Sequence, residues 1–275
     1  MITEIFNKLA NKFDLAKVMP IRELWKIRNI PRYTGGRAQT KMGIIEYVDA
    51  DTFQSGLKEI FVDGIYKIKK KSMKKPGVVI DCGANIGLAS IYFSKFYNMN
   101  VYAYEADPSI FECLKKNVEN LSLQEKVFPF NKAIWVSDQD IEFDVEGGYS
   151  GQIKKDGHEL VKKTITVPSI RLKKIISDFD HIDFLKIDIE GAENKVLFDL
   201  AGVLHNTDYI FIEWHSYAAD SQMLGDILNL LKTEGFRYHI KEAFTSKSPF
   251  IKIDRMCGMD LQLNIFAFKN EDIYN

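Results

Sequence analysis

Cysteine is scarce. The 275 residues hold three, Cys82, Cys113 and Cys257, an odd number without metal-type spacing. That excludes a disulfide-knit secreted scaffold and a cysteine-ligated zinc site, and it is the pattern of reduced thiols in a cytoplasmic protein. A charge surplus is missing too. The 37 Lys and Arg nearly match the 38 Asp and Glu, leaving a formal −1, so no overall field draws nucleic acid or an anionic membrane. No apolar run nears the roughly 18 residues that read as a membrane-spanning helix. The opening "MITEIFNKLANKFDLAKV" is charged throughout and does not read as a secretory signal. Repeats and low-complexity segments are absent as well. What is there is ordinary globular composition, 46% hydrophobic and 27% charged, enough to bury a core.

Two regions differ in pattern. In the first, taken as residues 1–70, Ile2, Ile5, Phe6, Leu9 and Phe13 fall at helical spacing. Pro20 suits the first turn of a second helix through Leu24, Trp25 and Ile27, and Pro31 closes it. Basic residues outnumber acidic ones here. The plain reading is a covering helix pair with a solvated basic face; the sharper one is a docking surface for an anionic substrate or membrane, or for self-association. "IIEYV" and "GIYKI" look like short strands before the lysine-rich "KIKKKSMKKPG". Over residues 71–275 apolar strands alternate with amphipathic helices, from "VVID" and "VYAYE" to "IDFLKID", "YIFIEW" and "NIFAF". "VFPFNKAI" reads as a third strand, and "DIEFDV" with "TITV" as half-exposed antiparallel strands. The expected fold is α/β, a doubly wound, mostly parallel Rossmann-like sheet behind an N-terminal extension.

In such a sheet, ligands sit at the carboxyl ends of the strands, where strand order reverses. Asp81 ends the first core strand, and Gly83, Asn85 and Gly87 lie in the loop that opens the next helix. Gly83 permits close backbone approach, Gly87 tight packing, and the helix amides favour a carboxylate. Glu105 ends the second strand, where a carboxylate can accept hydrogen bonds from both hydroxyls of a ribose. The glycine spacing is D-x-G-x-x-x-G, not the G-x-G-x-x-G that admits a pyrophosphate. An acid at the loop's start repels phosphates and suits an amine. S-adenosylmethionine (AdoMet) offers a ribose, an ammonium and a carboxylate, and is the expected cofactor.

"VIDCGANIGLASIYFS", "YAYEADPSIFECLKKNV" and above all "FLKIDIEGAENKVL" resemble FkbM-type methyltransferases, a branch of the class I AdoMet-dependent enzymes. The resemblance runs from about residue 60 to 268. It implies a seven-stranded sheet with an antiparallel last strand, and methyl transfer, commonly to a hydroxyl of a sugar, glycan or polyketide. The family often carries an acid just before the fourth core strand; "SIRLKKI" has Arg171 and Lys173 instead.

A hydroxyl acceptor benefits from a base that takes its proton during attack. Asp188, ending the fourth core strand, and Glu190 in the following loop suit the cofactor's ammonium or the acceptor hydroxyl. The plainer reading has Glu190 and Glu193 capping the next helix. Asp188, Glu190 and His215 are the candidate catalytic residues, with His215 placed at the expected rim as base or orienting group. Asp81, Gly83, Asn85, Gly87, Glu105, Ala106, Lys132 and Asp188 are the candidate cofactor contacts. No metal is assigned, although a divalent ion bridging Asp188, Glu190 and Glu213 is a lesser alternative. Tyr149, Ser150 and Gln152 in "EGGYSGQ" read as a flap or a plain hairpin turn. "FTSKSPFIKIDRMCGMD" is a candidate substrate-shaping lid. The expected partner is a hydroxylated small molecule or glycan, not nucleic acid. Alternatives are N-methylation of nucleic acid or protein, where "DIEG" replaces the usual Asn/Asp-Pro-Pro-aromatic loop, and AdoMet binding without catalysis.

Overall fold

The computed structural model describes residues 14–69, 76–145, 152–153 and 163–269. The helix expected through Phe13, most of the lysine-rich linker, and Tyr149 and Ser150 lie outside them. Helix α1 (Ile21–Ile27) starts directly after Pro20, which stands at the N-cap with an extended ψ of 139° and not in the first turn. A hairpin follows, β1 (Gly36–Thr40) and β2 (Gly43–Tyr47), then helix α2 (Ala50–Leu57). Asp49 caps α2 by accepting from the backbone N–H groups of Asp51 and Thr52. The helix then widens into a π turn over Lys58–Val62. The expected strand "GIYKI" does not form. Its Tyr66 is instead 5% exposed and packs edge-on against Phe184 and Phe211, so aromatic burial under the sheet overrides the local alternation.

The core then runs β3 (Val78–Cys82), α3 (Leu88–Tyr97), β4 (Asn100–Glu105), α4 (Pro108–Asn120) and β5 (Val127–Asn131). It continues through β6 (Ala133–Trp135), β7 (Asp140–Val145), β8 (Gln152–Ile153), β9 (Lys163–Arg171), α5 (Leu172–Ser177) and β10 (Ile182–Ile187). Last come α6 (Glu193–Asp199), β11 (Thr207–Tyr217), α7 (Leu224–Thr233), β12 (Arg237–Phe244) and β13 (Met259–Phe268). The third expected strand is broken at Lys132, so its second half, β6, joins a separate four-stranded sheet in the order β6-β9-β7-β8. The antiparallel pairing of "DIEFDV" with "TITV" is present there as β7 with β9.

The main sheet has seven strands in the order β12-β13-β11-β10-β3-β4-β5. β13 is antiparallel to β11 and β12, while β11, β10, β3, β4 and β5 pair in parallel. Every residue of β10 is buried, which explains why "IDFLKI" reads as a continuous apolar run apart from Asp183 and Lys186. The chain winds outward from β3 to β5, then returns to β10 beside β3. That reversal sets a crevice at the carboxyl ends of β3 and β10. Helices α3 and α4 cover one face; α5, α6 and α7 cover the other. The apolar cluster on the α3 face is continuous with Leu15, Met19, Leu24, Ile45, Phe53 and Leu57, so the segment before β3 is packed onto this layer. The two basic departures from the family pattern are structural. Arg171 pairs with both carboxylate oxygens of Asp199 at 2.8 and 2.6 Å, and Lys173 donates to the Ala201 carbonyl.

Candidate active site

The loop after β3 is shaped by three left-handed residues, with φ of +77° at Gly83, +52° at Asn85 and +89° at Gly87. Only glycine fits the first. A Cβ on Gly83 would lie 1.7 Å from the carbonyl oxygen of Asp188. The close approach that demands glycine is therefore made by the chain's own β10 loop. Gly87 opens α3 and faces Leu114 of α4; unlike Gly83 and Asn85, it does not line the cavity at the strand ends.

Asp81 differs from its expected placement. It is fully buried, accepts from the Ser90 hydroxyl at 2.6 Å, and sits 3.5 Å from the Lys186 ammonium. It turns toward α3, away from the cavity. Lys186, to which sequence reasoning gave no role, donates to the Gly83 carbonyl at 2.9 Å and to Asp188 at 3.1 Å. Burial would lower its pKa, but Asp188 and Asp81 hold it well above the usual value, so it stays an ammonium and ties the two loops together. The signal was present in the sequence as an uncompensated lysine inside an apolar strand.

Glu105 lines the cavity from the end of β4. One carboxylate oxygen accepts from the Asn85 N–H and the other from the Asp107 N–H, both at 2.8 Å. Each oxygen keeps a lone pair, so the pair of ribose hydroxyls expected here fits. Burial pushes its pKa up to about 7. Asn131 donates to the carbonyls of Glu105 and Ala106 and so fixes this turn. Ala106, Ile110, Ala133, Ile134 and Phe143 continue the cavity as an apolar slot with Lys132 at its edge, suited to a flat purine.

The other end of the cavity is acidic, lined by Asp188, Glu190, Glu213 and Glu59. Glu190 has a left-handed φ of +54°, unusual for a residue with a side chain, and Gly191 follows at +89°, which glycine takes readily; Glu193 holds this turn. The Glu193 carboxylate accepts from the N–H groups of Ile189 and Gly191 at 3.2 and 3.0 Å. The same oxygen lies 2.9 Å from His215 Nδ1. His215 is 3% exposed and stands behind the cavity wall, not on its rim. Its Nε2 is 3.5 Å from Glu213 and 3.7 Å from Glu190. Burial would lower the imidazole pKa, yet Glu193 and Glu190 raise it well above its usual value. An imidazolium has no lone pair to offer, so this geometry opposes the expected role of His215 as base. Glu190 takes the opposite course. Burial pushes it up to about 8; His215 pulls against this, while Asp188 and Glu213 reinforce it. Glu213 is also raised by burial and by Asp188, and it accepts from the Gln262 amide. Asp188, Glu213 and His215 bring one ligand atom each within 4.8 Å of one another; the Nδ1 of His215 is committed to Glu193.

Residues 81–238, more than half of the chain, match the Methyltransferase FkbM domain. The chain belongs to the FkbM methyltransferase family. Among curated proteins, methyltransferase sdnD of Sordaria araneosa is 26% identical over 172 residues, 51% of this chain and 66% of sdnD. Hexuronic acid methyltransferase AglP of Haloferax volcanii is 22% identical over 157 residues, 55% of this chain and 62% of AglP. The chain thus spans under two thirds of either relative. Among solved structures, M. jannaschii TYW2 in complex with AdoMet has a TM-score of 0.44 at 13% identity, covering 86% of this chain and 87% of that one. AdoMet is the cofactor of this family, and the Glu105 turn and the apolar slot both lie within the matched residues. Among the described residues no helix is long and apolar enough to cross a membrane.

Proposed function

We propose that this FkbM enzyme methylates a hydroxyl oxygen of a sugar, glycan or other small molecule. One observation carries the reading: the carboxylates of Asp188, Glu190 and Glu213 line the same cavity as the Glu105 turn. Carboxylates accept hydrogen bonds from hydroxyls, and one of raised basicity can also remove the proton. AdoMet supplies an electrophilic methyl group, so the protein has mainly to align and desolvate the acceptor.

In this reading Glu190 is the base. With a pKa near 8 it is far better matched to a hydroxyl proton than an ordinary carboxylate. His215 and Glu193 hold the strained loop that presents it. Asp188, braced by Lys186, orients the acceptor or the cofactor's methylthio end. That a relative is described as a hexuronic acid methyltransferase supports a carbohydrate acceptor. The test is transfer of labelled methyl from AdoMet to a panel of neutral sugars, uronic acids, small polyols, RNA and peptides. Label on a hydroxyl oxygen is the expected result. Label on nitrogen of RNA or peptide, with none on any hydroxyl, overturns the assignment.

A further inference from the structure

In the reading above, the glycine loop and the strand ends hold the ribose and the acceptor, and Asp188, one of the expected partners of the cofactor's ammonium, already receives Lys186. Asp81, the residue the loop pattern suggests, is buried against Ser90 and Lys186. The Gly83 carbonyl already receives the Lys186 ammonium. The cavity, however, has one more wall. Helix α2 and its π turn precede the residues that match the family domain, and they contribute Thr52, Ser55, Gly56 and Glu59 to the lining. Intervals of three, one and three residues are a single helical face.

The position of that face follows from its contacts. A Cβ on Gly56 would come within 2.9 Å of Leu88 at the start of α3, so the middle of α2 lies beside the glycine loop. Glu59, nearly one turn on, feels the carboxylates of Glu213 and Asp188. It sits in the π turn over Lys58–Val62, a distortion that re-aims side chains and recurs at functional sites. Among the described residues the Glu59 carboxylate makes no hydrogen bond or ion pair. Burial, then Glu213 and Asp188, push its pKa up to about 7; Lys186 pulls it down, and Asp63 opposes that effect. A second cation placed at this point would be welcome.

We propose that Glu59 is a cofactor-binding residue, the carboxylate that receives the ammonium of AdoMet's amino-acid tail at the cavity wall formed by α2. The segment before the core is then part of the AdoMet site, with Ser55 beside the same tail.

Two probes separate the tail from the rest of the cofactor: S-adenosylhomocysteine, which carries it, and 5′-methylthioadenosine, which does not. Calorimetry on the full chain and on Glu59→Gln should show S-adenosylhomocysteine weakened roughly tenfold, with methylthioadenosine within about twofold. Glu105→Ala should weaken both. Unfolding temperature serves as the control for fold, and Glu59→Asp, which keeps the charge but shortens its reach, is measured with the same pair. Equal losses for both probes overturn the proposal. So do two unchanged affinities, and if turnover falls in that case Glu59 belongs to the acceptor instead.

Discussion

The carbonyl oxygen of Asp188 occupies the space that any side chain on Gly83 would need, 1.7 Å from a Cβ built there. The two most distinctive motifs of the chain, "DCGANIG" and "KIDIEGAE", are thus one interlocked object. Lys186 completes the joint by bonding to both sides of it.

Gly83→Ala should therefore do more than remove a cofactor contact. The new methyl meets backbone, which cannot swing aside, and it also needs a φ of +77° that alanine disfavours. A loss of at least about 2 kcal/mol in stability is expected, together with loss of AdoMet binding. Gly87→Ala carries a similar φ penalty at +89°, but its methyl meets the flexible end of Leu114 and not backbone, so it should cost less. Thermal unfolding of the two variants decides; equal destabilisation would show that the Gly83 loop can shift.

Stability should depend on pH through Glu105. Its pKa is about 7 in the fold, raised by burial from an ordinary value of 4.5. The folded state then binds this proton more tightly than the unfolded one. Its contribution is full below about pH 4.5 and is lost as pH rises through 7. Over pH 5.5–8 the unfolding temperature of the wild type should fall more steeply than that of Glu105→Gln. Ribose hydroxyls favour the ionised form, so S-adenosylhomocysteine should bind more tightly as pH rises across the same range. Identical pH slopes for the two proteins would remove Glu105 as the cause.

Much of this site was legible before the structure. Glu105 and Asn85 could be placed because a carboxylate at a strand end and a polar residue in a glycine loop have few other uses. What stayed hidden depended on side-chain direction. Asp81 and Glu105 both lie at carboxyl-terminal strand ends, but Asp81 turns beneath α3 to Ser90 while Glu105 faces the cavity. His215 looked like a rim histidine because it ends a buried strand; its partner Glu193, 22 residues away, is what draws it inward. Glu59 was invisible because a π turn breaks the period that would place it.

Chelation should leave turnover unchanged. Asp188, Glu213 and His215 are close enough to hold an ion, but Glu193 holds Nδ1 of His215, whose raised pKa keeps a proton on Nε2, and Glu213 accepts from Gln262. The measurement is methyl transfer before and after EDTA treatment. Activity lost with EDTA and restored by magnesium would assign these three residues to a metal.

The choice between Glu190 and His215 as base can be read from the pH dependence of kcat. A carboxylate base works only when ionised, so with a pKa of about 8 the rate should climb with pH and level off above that value. Glu190→Gln should lower kcat by roughly 10² or more and abolish the climb. His215→Gln makes the sharper test, because the imidazolium is what pulls Glu190 down against burial. Without that charge the limb should move to higher pH while the affinity for S-adenosylhomocysteine stays put. Were His215 the base, its removal would erase the limb instead of moving it, and Glu190→Gln would leave one behind.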